Sequence, residues 1–208
     1  METLREETLK HAQKLQEAAA TMLMETDWDI VKDIDEDNAT SLEKKKFQKF
    51  NLPHYRLSTM VNLPRENVVE IIWNATETSA KVDDPEIKSY QILHEEDNFR
   101  VRRQINRLKW PCWPRETVIA QHRFDTSDST WLVGFSINCP SVPEKPSKYV
   151  RSSLSISCYR YHELGPNQTQ VERITNIDPN GDIPGWVITS QTGKMVNAFN
   201  RWNALGSN

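Results

Sequence analysis

Cysteine is scarce in this sequence, and signals for export or membrane insertion are missing. Cys112, Cys139 and Cys158 are the only three in 208 residues and stand far apart. An odd, sparse count without an export signal reads as reduced thiols rather than a disulfide scaffold. The first ten residues, METLREETLK, contain neither a basic n-region nor an apolar stretch, so they do not read as a signal peptide. Glu2 stands where N-myristoylation needs glycine, and the last residues do not form a prenylation box. No apolar run approaches the roughly 20 residues needed to cross a bilayer. The expected location is therefore cytoplasmic. Three N-x-S/T sequons, at Asn38, Asn74 and Asn167, are then chance matches.

Motifs for most enzyme chemistries are also missing. There is no G-x-G-x-x-G, no P-loop and no G-x-S-x-G. There is no C-x-x-C, and His11, His54, His94, His122 and His162 show no metal-ligand spacing. No metal and no catalytic residue is expected. A Cys/His nucleophile has no local signature to support it. The adjacent acids Asp83-Asp84 and Glu95-Glu96 read as solvated. A net charge of −3 counts against nucleic acid as a partner.

What is present describes a folded, water-soluble chain: 37% hydrophobic and 26% charged residues, with both signs mixed. Its length suits a single domain over 1–208, able to bury on the order of 70% of the extended chain's surface. The charge is uneven. Residues 1–40 hold eleven acids and four bases. Residues 100–123 hold seven bases (Arg100, Arg102, Arg103, Arg107, Lys109, Arg115, Arg123) against Glu116. That stretch reads either as a solvated strand face or as a patch for an anionic membrane surface.

Periodicity predicts an amphipathic helix over about 3–24, striped by Leu4, Leu9, Ala12, Leu15, Ala19, Met22 and Leu23. Short strands follow at 28–34, with Trp28, Ile30 and Ile34 on one face, then at 41–50 and 54–62. Pro64 opens a helix whose apolar face is Val68, Val69, Ile72 and Trp73. That helix continues weakly or restarts toward Ala80, and Val82 to Ile87 is a connection. Six strands follow, at 89–95, 98–109, 116–124, 130–138, 148–163 and 168–177. In 148–163, Val150, Leu154, Ile156 and Cys158 share one face, and small hydroxylic residues fill the other, as suits a cavity wall or a wet face. The Cys139–Lys148 loop is stiffened by three prolines. A last helix spans about 186–205, striped by Ile188, Met195, Phe199 and Trp202, with Gly193 inside it. This order predicts an α+β fold, a curved antiparallel sheet gripping one long helix.

Several segments resemble START (StAR-related lipid transfer) domains. Asp178-Pro-Asn-Gly-Asp-Ile-Pro184 before an amphipathic helix resembles their D-P-x-G-x-x-P turn. Trp110-Pro111 followed by Arg115-Glu116-x-Val118 is similar to their W-P-x-x-x-R-D-x-V stretch, with Glu for Asp. Tyr149-Val150-Arg151 looks like their x-V-R strand opening, and Trp28 sits where they often carry a Trp. The matches run in order over about 28–205. The resemblance implies a helix-grip (START/Bet v 1-like) fold and a hydrophobic cavity, gated by the last helix and adjacent loops, that holds one lipid. It implies lipid transfer without a cofactor and, in most members, without catalysis.

Within the ceramide-transfer class, Gln104 falls on the head-group Gln and Glu77 on the head-group acid. The class's Asn and Tyr fall on Gly134 and Arg173, which counts against ceramide. The Arg of phosphatidylcholine-binding members is missing near Ala80, and a sterol stays open. The resemblance thus implies lipid contacts at Glu77, Gln104, Asn106, Arg173 and Phe199. It implies membrane contact at Trp110 and Trp113 by a monomer that meets membranes transiently. From the residues alone, Gln104 points equally to water or a cavity, Glu77 is a surface acid, and Arg115-Glu116 bridges a loop to a strand. A lipid-gated regulatory module, or an enzyme acting on a hydrophobic acyl substrate, are the alternatives.

Overall fold

The computed structural model describes residues 2–35, 40–184, 187, 196, 198–202 and 204. Helix α1 (Glu2–Met24) leads into three strands, β1 (Asp29–Asp35), β2 (Thr40–Lys45) and β3 (His54–Val61). Two short helices, α2 (Arg65–Trp73) and α3 (Glu77–Asp83), precede β4 (Ile87–Glu96), β5 (Phe99–Asn106), β6 (Arg115–Asp125) and β7 (Ser129–Ser136). The chain then forms β8 (Val150–Arg151), β9 (Ser153–Gly165) and β10 (Gln168–Asp178). The strands make one sheet in the order β1-β2-β3-β10-β9-β7-β6-β5-β4, all antiparallel, with β8 added parallel to β6. This is the predicted START-type fold. Of the last predicted helix, residues 187, 196, 198–202 and 204 are described and are helical; Ile188, Gly193 and Met195 lie outside the described residues. Among the described residues no helix is long and apolar enough to cross a membrane.

Strand alternation divides the apolar residues between two faces of the sheet. On one, Ala12 and Ala19 of α1 are fully buried against Phe99, Val101, Val118, Ala120, Phe135 and Ile156. Alanine at these helix positions lets α1 lie close to the strands. On the other face, Val68, Val69 and Trp73 of α2 pack with Leu132, Tyr161 and Val171 and with Phe199 and Trp202.

Of the two courses expected after α2, the chain restarts as a separate α3, because Thr76 and Ser79 form a reciprocal capping box: the Ser79 N–H donates to Thr76 Oγ1 at 3.2 Å and the Thr76 N–H to Ser79 Oγ at 2.9 Å. Three expectations need correction. The predicted strand 148–163 is broken at Ser152, where the chain changes partner from β6 to β7. Ile30 is 64% exposed, not on the buried face of Trp28, which precedes the first residue of β1. Finally, the basic stretch is dispersed rather than gathered on one face, with Arg107 and Lys109 left exposed. Arg100 and Arg115 are buried, Arg103 pairs with Glu116, and Arg123 pairs with Glu66 and Asp125.

Glu116 is 1% exposed and holds two arginines. Its Oε1 accepts from Arg103 Nε at 2.7 Å and its Oε2 from Arg151 Nη2 at 2.8 Å. Arg151 also donates to the Val142 carbonyl at 2.9 Å, so the clasp anchors the 139–148 loop. Replacing Glu116 with Ala leaves two guanidinium groups facing each other without a counter-charge. The expected loss is about 3–5 kcal/mol of unfolding free energy by urea titration; an unchanged midpoint would show that the clasp adds nothing.

Two histidines are held neutral. His54 lies edge-on to Phe47 and Phe50, with ring centroids 4.9 and 4.5 Å away, and neither ring nitrogen has a partner among the described residues. His122 contacts Thr8 Oγ1 of α1 through Nε2 at 2.9 Å. Burial pushes both down to about 4 from the ordinary 6.5, with Arg5 lowering His122 further. The folded state therefore disfavours the proton that the unfolded chain accepts. Stability is expected to be full above pH 6.5 and to fall as the pH drops from there toward 4. In His122→Gln, urea midpoints measured across that range are expected to show a shallower decline.

Candidate functional site

Between the second face of the sheet and the C-terminal helical residues lies a cavity of about 370 Å³. That size falls within the roughly 300–1,000 Å³ usual for small-molecule sites. Alternation selects its wall. On β5 the even residues Arg100, Arg102, Gln104 and Asn106 face the cavity, while Phe99 and Val101 face α1. On β6 the odd residues from Arg115 to Gln121 do so, and on β10 Arg173, Thr175 and Ile177. Tyr90, Ala80 and Ile72 close one side, and Val187, Ala198 and Trp202 cover it.

On β9 the rule changes midway. Ser157 and Tyr159 line the cavity and Ile156 and Cys158 face α1, yet Leu154 also lines the cavity. The β9–β10 register skips Ser155: Ile156 pairs with Asn176 but Leu154 with Ile177. This β-bulge turns the strand's start by one side-chain position. It corrects the expectation that Leu154 shares a face with Ile156 and Cys158.

The polar wall is partly self-satisfied. Arg102 Nη1 donates to Gln104 Oε1 at 2.7 Å, Gln104 Nε2 to Asn106 Oδ1 at 2.8 Å, and Asn106 Nδ2 to Asp84 Oδ2 at 2.9 Å. Arg100, 1% exposed, donates to Gln121 Oε1 at 2.8 and 2.7 Å and to the carbonyls of Ile72 and Trp73 that end α2. Its guanidinium lies 4.4 Å from the Trp73 ring centroid. Burial lowers Arg100 to about 10, which leaves it charged at neutral pH. Arg173 lies 4.9 Å from the Tyr159 ring centroid and reaches Ser157 Oγ at 3.4 Å. Among the described residues, Arg102 Nε, Arg173 Nε, Thr175 Oγ1 and Trp202 Nε1 are buried without a partner.

Gln104, Asn106 and Arg173 thus share the cavity wall. Glu77 is outside it, exposed on α3, where it pairs with Lys81 at 2.5 Å and accepts the Tyr90 N–H at 3.1 Å. Lysine lowers the Glu77 carboxyl first, and the Tyr90 N–H second. Phe199 is buried beside Trp202, against α2 and the sheet, rather than in the wall. Sequence reasoning missed Arg102, Tyr90 and Thr175. The polar alternation Arg-x-Arg-x-Gln-x-Asn on β5 was a visible signal for Arg102 alone.

Residues 107–114 connect β5 to β6 at the cavity's edge. Leu108 lines the cavity, while Trp110 is 89% and Trp113 53% exposed. Arg107 and Lys109 are exposed beside them, and the Trp110–Pro111 peptide is cis. Arg115 fixes the far end. Its Nη1 donates to the Trp113 carbonyl at 2.7 Å, its Nε to Pro179 at 2.6 Å and its Nη2 to Asn180 at 2.8 Å. Gly181, with φ of +71°, supplies the left-handed turn that brings those carbonyls round. A side chain at Gly181 would be strained by that backbone and would approach Arg115 Nη2.

No group of three or more His, Cys, Asp or Glu is placed to hold a metal ion among the described residues. Cys139 and Cys158 are buried in the core beneath α1, and burial pushes the Cys158 thiol far up.

Comparison with curated proteins gives no match. Among solved structures, the fold is similar to human StAR-related lipid transfer protein 5, with a TM-score of 0.83 and 17% identity over 96% of each chain. It is also similar to a STAR-related lipid transfer protein from Xanthomonas axonopodis, with a TM-score of 0.71 and 14% identity over 88% of this chain and all of that one. At such identities the likeness is one of fold. The START domain family model, however, matches residues 9–208, and the protein belongs to the START domain family.

Proposed function

We propose that this protein binds one lipid in the cavity and carries it between membranes. The observation that carries this reading is a cavity with a mixed polar and apolar wall, whose edge loop presents two exposed tryptophans. Membership of the START family and a fold shared with proteins named as lipid transfer proteins support it. In this reading the lipid's tails lie against apolar residues such as Ile119, Leu154 and Ile177. Removing them from water gains about 0.8 kcal/mol per CH₂. Gln104, Asn106 and Arg173 contact the head group.

Trp110 and Trp113, flanked by Arg107 and Lys109, dock at the membrane interface, where an indole's apolar body and polar tip are both accommodated. The 139–148 loop and the helix after Pro184 then move aside, and the lipid enters tail-first. The protein works as a cytoplasmic monomer with transient peripheral membrane contact. It needs no cofactor and catalyses no reaction.

Native mass spectrometry of protein purified from cells is expected to show one stoichiometric lipid. A protein that arrives empty and takes up no lipid from mixed vesicles would overturn the reading. Trp110→Ala is expected to slow transfer between vesicles by about tenfold, since a buried aromatic is worth roughly 1.5–3 kcal/mol. Affinity for a soluble short-chain lipid should be unchanged. An unaltered transfer rate would remove Trp110 from docking. Rapid exchange between vesicles also separates a carrier from a lipid-gated regulatory module, which need only bind.

Gln104→Leu would leave Arg102 and Asn106 each short of a partner, and lipid affinity is expected to fall by about tenfold. Unchanged affinity, measured by fluorescent-lipid displacement in a variant with a normal melting curve, would take Gln104 out of the site.

A further inference from the structure

The arginines of this chain fall into two groups. Those away from the cavity are matched with carboxylates: Arg5 with Glu96, Arg56 with Glu43, Arg65 with Glu163, Arg103 and Arg151 with Glu116, Arg123 with Glu66, Arg160 with Glu172 and Arg201 with Asp83. Arg107 is exposed. The four in the cavity wall, Arg100, Arg102, Arg115 and Arg173, bond only to neutral groups among the described residues. The wall's two carboxylates are already engaged. Asp83 holds Arg201 at 3.2 Å, and Asp84 accepts from Asn106 and from the Glu86 N–H at 3.0 Å. Residues 183–208 contain no Asp or Glu, so no side-chain carboxylate from the covering segment can neutralise the wall.

Within the four, a second division matters. Arg100 and Arg115 each commit Nε, Nη1 and Nη2 to protein acceptors, and their role is to hold α2 and the 178–181 turn. Arg102 commits one nitrogen, to Gln104, and Arg173 one, to Ser157 at the 3.4 Å limit of a hydrogen bond. The Nε of each is buried and without a partner among the described residues. A guanidinium cannot lose its proton to escape this position, and a planar fork of donors suits carboxylate or phosphate oxygens. A neutral ligand would seal these charges from water without compensating them, which is strongly unfavourable.

We infer that the cavity is selective for lipids with an anionic head group, a carboxylate or a phosphate, whose oxygens take the free guanidinium donors of Arg102 and Arg173. This rests on the reading that the cavity holds a lipid. It separates that reading's three candidates: a phosphate-bearing lipid fits, and ceramide and sterol, which carry no anion, do not.

The test uses the full chain and lipid pairs that share tails but differ in charge: oleate against oleyl alcohol, and dioleoyl phosphatidate against dioleoylglycerol. Binding is read by native mass spectrometry and by displacement of a neutral fluorescent lipid. The anionic member of each pair is expected to bind at least about tenfold more tightly, the worth of one charge-assisted hydrogen bond. In Arg102→Gln and in Arg173→Gln the ratio of affinities within each pair should fall toward one, and a ratio unchanged in both variants would overturn the inference. Melting of the empty variants, read alongside, should match or exceed that of the parent, since an uncompensated charge has been removed; binding is compared only between proteins that melt cooperatively.

Equal affinity within each pair would overturn the inference and leave the lipid reading standing. Uptake of neither member would overturn both. Inorganic phosphate alone raising the melting temperature as much as the anionic lipids would assign the two arginines to a free anion instead.

Discussion

Arg115 ties the tryptophan loop and the start of β6 to the turn after β10. Its guanidinium rises from the first residue of β6 and meets carbonyls of the tryptophan loop and of the turn after β10. Those acceptors are backbone groups, so the contact dictates chain path rather than side-chain chemistry. The next residue, Glu116, points the opposite way and gathers Arg103 and Arg151. Two neighbours on one strand thereby hold two connections: Arg115 positions the turn after β10, and Glu116 anchors the 139–148 loop through Arg151.

Electrostatics then separates framework from site. Arg100 resembles Arg115 in saturating its donors on protein acceptors, and it gains from lying at the carbonyl end of α2, where a helix favours a cation. Arg102 and Arg173 lie on strands far apart in sheet order, β5 and β10, and sheet curvature brings both to the same cavity wall. Each rests against an aromatic ring, Tyr90 at 5.4 Å and Tyr159 at 4.9 Å, which steadies a guanidinium without supplying an acceptor for its donors.

Much of the architecture was legible because strand and helix periods are strong signals here. The stripe of α1, centred on Ala12 and Ala19, and the Val68, Val69 and Trp73 face of α2 both correspond to buried faces. The motif turn at 178–184 and the Arg115-Glu116 pair were also readable, and the bridging role read from them is the one the structure assigns. What could not be read was which side of β5 faces inward. Its inward residues are polar, and polarity alone reads as solvent. Only the helices packed across that side convert a basic strand into a cavity wall. The resemblance implied a head-group acid at Glu77; Thr76 caps a new helix there, and Glu77 lies on its exposed side.

The bulge at Ser155 has a consequence for how this protein compares with its relatives. Upstream of it β9 turns even-numbered residues inward, and downstream odd-numbered ones. A relative lacking that one residue would keep the same faces through an unbroken alternation, with composition and hydropathy almost untouched. Aligning β9 without a gap would then equate residues that never see the same environment. Inheritance of a ligand preference across the family should therefore be judged strand by strand, by counting from the bulge.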